Sequence, residues 1–360
     1  MKILIYGGTF NPVHLAHIEN INLACHTFSF DKILIIPNKN GHFKENDELA
    51  SIEDRLKMVD LALKKLNKNI DVEISRIEID SENNLYSNDV VDCLINKYKN
   101  AEFYFLIGSD QARNIDKWYK IAELKKKVKF IVTKRDENYC DDEFLTINND
   151  IMPYSSTAIR ERYATSGIED VDKYIREHGL YLEIVLKRYL NDKRLQHSIN
   201  VASLAKEKAS KYQIDSSKAY VAGMLHDIGK EINITKQYEL IESDDNLFEI
   251  SDATIHALSG YYIAKNDLGI NDEEVLNAIK WHTTAYYEMS DLDKLIYVCD
   301  MLSQERDFIG VEKLRDLLDK DLNECFKACF IASYNHLLKK GINISDELNK
   351  LKEMIERNEV

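Results

Sequence analysis

Proline is nearly missing from this sequence: there are three in 360 residues, and none after Pro153. Proline removes a helical hydrogen bond and clashes with the preceding turn, so its absence leaves the second half open to uninterrupted helices. Basic excess is missing too. The formal net charge is −14, which excludes a general nucleic-acid binder and leaves room only for a local basic pocket. The six cysteines, Cys25, Cys93, Cys140, Cys299, Cys325 and Cys329, contain no CxxC pair. Cys325 and Cys329, one helical turn apart, read as two buried thiols, which fits a reducing cytosol. Long apolar runs are absent: nothing approaches the ~20 residues that cross a bilayer. The opening MKILIYGG is too short for the apolar region of a signal peptide. A cytoplasmic chain with no membrane or nucleic-acid partner is expected, and a homo-oligomer is left open.

What is present is a globular composition of two kinds. Hydrophobic residues make up 44%, enough for ordinary cores, and the length predicts two domains. The first half alternates apolar strand-like runs (Lys2–Tyr6, Lys32–Ile36, Ile70–Arg76, Phe103–Ile107, Val128–Thr133) with amphipathic stretches. Helices are expected at Val13–His26, Ser51–Leu66, Asn88–Lys99 and Trp118–Leu124. Such alternation predicts an α/β fold with a parallel sheet covered on both faces, its ligands at the carboxyl ends of the strands. After about Tyr181 only helical spacing remains, as in Val201, Leu204, Ala205 and Leu276, Ile279. The expected domains are therefore 1–181, Rossmann-like, and 182–360, all-α. The acidic stretch Asp136–Glu143 reads as a solvated loop.

Two stretches carry chemistry. The first is GGTFNPVHLAH, Gly7–His17, directly after the first strand. Gly7 and Gly8 let backbone approach a ligand, and the helix that follows aims its N–H groups at the same point. His14 and His17 share one face of its first turn. No GKS or GKT follows, so this is not a P-loop. Taken alone, the spacing equally fits a glycine turn beside two surface histidines.

The rest of the first half narrows this. GGTFNPVHLAH resembles the signature of the HxGH nucleotidyltransferase superfamily, and within it the bacterial nicotinate-nucleotide adenylyltransferases. PNKNGHFK (Pro37–Lys44), LYSND (Leu85–Asp89), FLIGSDQARNIDKWYKI (Phe105–Ile121) and YSSTAIRER (Tyr154–Arg162) follow in that family's order. Two positions depart from the pattern: Ala16 replaces the glycine of HxGH, and Ser87 replaces a usual threonine. The resemblance implies transfer of AMP from ATP to nicotinate mononucleotide, with Mg²⁺ accompanying ATP. It implies that His14, His17, Lys44 and Arg160 act on the phosphates. Gly7, Gly8, Thr9, Phe10, Gly108, Ser155, Ser156 and Thr157 would line the nucleotide site. Ser87, Asp110 and Trp118 would line the adenosine and nicotinate pockets. Phosphopantetheine is an alternative acceptor.

The second stretch is GMLHDIGKEIN, with His226 and Asp227 adjacent. A lone doublet is weak, and each histidine taken singly reads as a core or surface residue. His197, His256, His282 and Asp300 lie in or beside the apolar-periodic helices of the same half, where buried imidazoles and carboxylates are usually paired or metal-bound. Four histidines and two aspartates suit two divalent ions, bridged by a carboxylate. The segments RLQHSINVA, AGMLHDIGK, LNAIKWHTTA and YVCDMLSQERDFIGV resemble the two-metal branch of the HD phosphohydrolases. Within it they are similar to the family that includes symmetric diadenosine tetraphosphate hydrolases. The resemblance implies two iron or manganese ions held by His197, His226, Asp227, His256, His282 and Asp300. Asp227 would be the bridge, with Lys230, Arg194 and Arg306 on substrate phosphates. A second reading keeps the first activity and makes the helical domain a regulatory module.

Overall fold

A computed structural model of the chain describes residues 1–39, 49–66, 70–136, 139, 143–161, 165–241 and 251–359. Lys44, part of Asp136–Glu143, Cys140 and Arg162 lie outside the described residues. The chain divides into two compact units, Met1–Tyr174 and Ile175–Val360, a few residues upstream of the division expected at 181/182.

In the first unit the five apolar runs form β1 (Lys2–Gly8), β2 (Lys32–Pro37), β3 (Asp71–Ile74), β4 (Glu102–Gly108) and β5 (Val128–Thr133), and a sixth strand follows, β6 (Leu145–Ile147). They make one parallel sheet in the order β3-β2-β1-β4-β5-β6. Central strands of such a sheet are covered on both faces and so read as unbroken apolar runs. Ile3, Leu4 and Ile5 are fully buried in this way. The chain winds outward from β1 in both directions, so the crevice for a ligand opens where β1 and β4 end. The helices are α1 (Leu15–Phe28), α2 (Ile52–Leu63), α3 (Ser87–Lys97), α4 (Ser109–Ala112), α5 (Ile121–Lys127), α6 (Ser156–Arg160) and α7 (Glu169–Glu177), the last spanning the division between units. Ser51 caps α2 as its sequence suggests, its Oγ accepting from the Asp54 N–H at 3.1 Å.

Two local expectations need correction, and one strand was not expected. Helix α1 begins at Leu15 rather than Val13, because His14 keeps an extended backbone as its N-cap. Trp118 is not helical: it follows a 3-10 turn at Ile115–Lys117 with φ −75° and ψ 140°. Lys120 then turns left-handed at φ 51°, and α5 starts only at Ile121. β6 had no sequence signal, since it has three residues with Leu145 and Thr146 exposed.

The second unit is helical among the described residues. It comprises α8 (Leu182–Leu186), α9 (Asp192–Ala209), α10 (Ser216–Leu225), α11 (Ile234–Leu240), α12 (Ile255–Tyr262), α13 (Glu273–Trp281), α14 (Asp291–Leu302), α15 (Val311–Leu318), α16 (Leu322–Lys339) and α17 (Asp346–Glu356). Val201, Ala202, Ala222, Leu225, Ile279 and Leu295 meet in one core. Cys299, Cys325 and Cys329 are buried there. Two glycines set the approach of its helices. A Cβ on Gly223 would lie 2.6 Å from the Ala202 Cα, so α9 and α10 touch through backbone. A Cβ on Gly229 would lie 2.5 Å from the His256 carbonyl oxygen. The glycines flanking His226–Asp227 are therefore contact residues, which seat the doublet against α9 and α12.

Candidate functional sites

The first site lies beyond the carboxyl ends of β1 and β4. Gly7 and Gly8 close β1, Phe10 adopts φ 48°, and α1 starts after His14. The His14 and His17 rings stack with centroids 3.7 Å apart. The His14 N–H donates to the His17 Nδ1 at 3.1 Å, which leaves the His17 proton on Nε2. Burial, reinforced by the nearby Arg135 charge, pulls His14 down to about 4 and His17 well below its ordinary value. Both rings are thus neutral at physiological pH. The buried His14 Nδ1 has no hydrogen-bond partner among the described residues. A buried polar atom left so in a cradle of this kind is suited to a ligand.

Two cavities flank the cradle. One, of about 180 Å³, is lined by His14, Ala16, Lys134, Arg135 and Tyr154 among others. The other, of about 350 Å³, is lined by Gly7, Glu78, Ser87, Lys117, Trp118 and Tyr119 among others. The smaller combines cations with a neutral imidazole, a setting for polyphosphate. The larger has the flat face of Trp118, held edge-on by Phe105 and Phe130, and suits an aromatic ring. Ala16 faces the smaller cavity, so its methyl group borders the phosphate setting.

Ser87 and Trp118 share the larger cavity, and His14 lines the smaller. Asp110 lines neither: it pairs with Arg135 at 3.1 Å beside Gly108. A Cβ on Gly108 would lie 2.4 Å from the Asp110 Oδ1, which explains the glycine. Arg160 is buried, and its Nη1 donates to the Asn11 carbonyl at 2.9 Å, bracing the loop after β1. Ser156 Oγ donates to the Pro12 carbonyl at 2.9 Å and braces the same loop. Ser155 caps α6, Thr157 is exposed, and the Thr9 carbonyl accepts from Arg55 at 2.9 Å.

Sequence reasoning missed Arg55, Glu78 and Arg135. Arg55, 1% exposed, also donates to the Asn38 carbonyl at 2.8 Å, tying the loop after β1 to the one after β2. An arginine inside the apolar face of α2 was a signal for it. Burial pushes the Glu78 carboxyl up to about 7, against the pull of the Lys39 backbone and Arg55.

The second site is built on five helices. His197 comes from α9, His226 and Asp227 from the end of α10, His256 from α12, His282 from the end of α13 and Asp300 from α14. All six converge. The Asp227 Oδ2 lies 3.7 Å from His226 Nε2 and 3.9 Å from His197 Nε2. Its Oδ1 lies 3.4 Å from His256 Nε2 and 3.6 Å from His282 Nε2. Asp300 Oδ1 is 2.9 Å from His197 Nε2 and 4.0 Å from His226 Nε2.

These distances fit metal coordination. Ligand atoms each about 2.0–2.2 Å from one ion are roughly 3.0–3.6 Å from each other. His226 and His282 donate Nδ1–H to the carbonyls of Gly223 and Ile279, both at 2.7 Å, which leaves each Nε2 lone pair pointing at Asp227. Burial pulls His226 down to about 4, so its imidazole is neutral. Burial alone would raise the Asp227 and Asp300 carboxyls. The facing histidines outweigh it and hold both well below the carboxylate range. The site is one for divalent metal, and Asp227 offers one oxygen to each half.

Around it, Arg194 donates to the Asp227 Oδ2 at 3.0 Å and Arg306 to the Asp300 Oδ1 at 2.6 Å, both from half-exposed positions. Lys230, its pKa lowered by burial, has its Nζ 3.0 Å from His256 Nε2. Two further residues went unread in the sequence. Thr283 Oγ1 lies 2.9 Å from His282 Nε2 and 3.2 Å from His256 Nε2. Glu305 contacts the His197 Nδ1.

A parallel-sheet unit with a phosphate cradle, followed by a helical unit with a histidine–aspartate cluster suited to divalent metal, defines a nucleotidyltransferase joined to an HD-type protein. Residues 5–162 match the cytidylyltransferase-like family and residues 194–305 the HD domain family. A Mycoplasma genitalium protein, called a "probable nicotinate-nucleotide adenylyltransferase/Ap4A hydrolase", is 32% identical over 85% of this chain and 88% of its own. A Mycoplasma pneumoniae protein of the same name is 30% identical over 90% and 96%. The chain belongs to this nicotinate-nucleotide adenylyltransferase/Ap4A hydrolase family. Among solved structures, a Clostridium acetobutylicum protein described as a predicted HD superfamily hydrolase involved in NAD metabolism is 32% identical. It covers 49% of this chain and 96% of its own, with a TM-score of 0.46. No helix among the described residues is long and apolar enough to cross a membrane.

Proposed function

We propose that the chain is a bifunctional nucleotide enzyme, with residues 1–181 carrying adenylyl transfer and residues 182–360 carrying hydrolysis. The first activity joins ATP and nicotinate mononucleotide to give nicotinate adenine dinucleotide and pyrophosphate. The second splits diadenosine tetraphosphate with water into two ADP. The observation that carries the reading is the pairing, on one chain, of a neutral histidine cradle beside Arg135 with a carboxylate, Asp227, facing two histidine pairs.

In the first reaction a phosphate oxygen of nicotinate mononucleotide attacks the α-phosphorus of ATP, and the bond to the β-phosphate oxygen breaks. The attacking group belongs to the substrate, so positioning and charge neutralisation carry the step. His17 Nε2–H and His14 donate to phosphate oxygens without adding charge. Lys134 and Arg135 supply the charge, with Lys44 from the segment beyond β2 and Mg²⁺ travelling with ATP. Trp118 stacks on the pyridine ring. Ser87 and the turn at Gly7–Phe10 position the nucleotide, Arg160 and Ser156 hold the loop around it, and Ser155 and Thr157 offer hydroxyls at the start of α6.

In the second site, iron or manganese would be held by His197, His226, Asp227 and Asp300 on one side and by Asp227, His256 and His282 on the other. Two such ions, when bound, supply a polarised water and clamp phosphate oxygens. Asp227 keeps both halves at a fixed separation. Lys230, Arg194 and Arg306 receive the charge of the tetraphosphate and of the departing ADP.

The test is two assays on one purified full-length sample. Pyrophosphate release from ATP is expected with nicotinate mononucleotide, and ADP release from diadenosine tetraphosphate on adding Mn²⁺ or Fe²⁺. Pyrophosphate release only with another acceptor, such as phosphopantetheine, would reject the first assignment. Metal-loaded protein without ADP release would reject the second and favour a regulatory helical unit.

A further inference from the structure

The two halves of the histidine–aspartate site are unlike in what stands behind their imidazoles. His226 and His282 each lean on a neutral backbone carbonyl three residues back. His197 alone, among the described ligands, leans on a carboxylate: its Nδ1 contacts the Glu305 Oε1. That carboxylate is itself held. Ser303 Oγ donates to Oε1 at 2.8 Å, and Asn200 Nδ2 donates to Oε2 at 2.7 Å. Asn200 lies one turn after His197 on α9, so a single helix supplies both the ligand and a clamp on the group that orients it. Ser303 ends α14 with ψ 154°, and the Arg306 N–H bonds back to its carbonyl at 2.9 Å. This turn returns the chain from Asp300 over the end of α14 to His197. Arg315 secures the turn, donating to the carbonyls of Leu302, Ser303 and Arg306 at 2.9–3.0 Å.

The other half has the opposite neighbourhood. The His256 ring has no carboxylate behind it among the described residues. The Lys230 Nζ lies 3.0 Å from its Nε2 and 3.3 Å from its Nδ1, and Thr283 Oγ1 sits 3.2 Å from Nε2. An ammonium group at the ligand nitrogen competes with a cation and repels it. A carboxylate behind an imidazole fixes the ring, keeps the proton on Nδ1 and makes Nε2 a stronger donor.

We propose that Glu305 is a positioning residue that makes the site unequal. The His197–His226–Asp300 half binds its ion first and tightly, and the His256–His282 half takes a second, exchangeable ion. This rests on the metal reading given above. In use, the tight ion would persist through turnover, and the weak one would set how activity follows available metal.

The test needs no substrate. Full-length protein, stripped with chelator, is titrated with Mn²⁺ while the resonance signal of unbound Mn²⁺ is recorded. Wild type is expected to bind two ions in separate steps. Glu305→Ala should weaken the tighter step by roughly 10- to 100-fold and leave the weaker step unchanged. Glu305→Gln, whose amide oxygen still accepts from Nδ1–H, should give a smaller loss in the same step. Lys230→Met should tighten the weaker step alone. Two indistinguishable steps in wild type, or equal weakening of both steps in Glu305→Ala and Glu305→Gln, would overturn the proposal and leave the metal site standing. No bound Mn²⁺ in wild type would instead remove the metal reading itself.

Discussion

Both units use histidine, and they use it in opposite ways. In the first, His14 and His17 stack on each other beside Arg135, and burial with that positive neighbour keeps them neutral. In the second, His197, His226, His256 and His282 surround carboxylates, with Nε2 turned inward. An imidazole next to a cation is a neutral hydrogen-bond donor for an anion. An imidazole next to a carboxylate, with Nδ1–H tied off, is a lone pair for a metal. The residue type is shared, and the neighbour decides the chemistry. The scaffolds differ in the same sense. The cradle draws on backbone at a strand end, whereas the histidine–aspartate cluster is side chains from five helices.

The largest break in this comparison comes from Asp227→Ala. It removes the carboxylate that faces both halves, so hydrolysis should fall below detection and bound metal should drop, with pyrophosphate release unchanged. Loss of both activities would mean that the units do not act separately. The reciprocal change, His14→Ala, should lower adenylyl transfer by roughly 10²–10³-fold through loss of a positioned donor, with hydrolysis retained. An effect on KM for nicotinate mononucleotide alone would place His14 in binding and not at the reacting phosphates.

Glu78→Gln sharpens the contrast through pH. The Glu78 carboxyl is raised from 4.5 to about 7, so the folded chain holds a proton that the unfolded chain has already lost. Stability from this group is intact below pH 4.5 and falls as pH rises toward 7, by up to about 3 kcal/mol. Urea unfolding at pH 5 and pH 8 should show that fall in wild type and less of it in Glu78→Gln. The smallest effect is expected from Gly229→Ala. Its Cβ would press on the His256 carbonyl, costing about 1–3 kcal/mol of stability by urea unfolding and weakening metal binding with it.

Much of this was legible in the sequence because each candidate ligand stands out against its local period. His197, His256 and Asp300 sit in apolar-periodic helices where a buried polar group needs a partner, and the family motifs place the rest. Glu305 was not legible. It is an ordinary acidic residue after a helix, and its role depends on a turn that carries it back to α9. Arg135 belongs to the same class, since only the adjacency of β4 and β5 brings it to His14 and Asp110. Trp118 lines the larger cavity but is not helical as its periodicity suggests, because the left-handed Lys120 interrupts a pattern that periodicity alone continues.

The sequence by itself carried the two-part architecture, the strand-to-helix cradle and the six candidate residues that the structure brings together. The first two follow from periodicity and residue chemistry, which are local, and the six from those together with the family motifs. The tertiary structure decided which oxygen of Asp227 faces which histidines, what stands behind each imidazole, and which cation neighbours the cradle. Those depend on distances of a few ångströms between elements far apart in the chain, set by close packing at places such as Gly223 and Gly229, where backbone meets backbone.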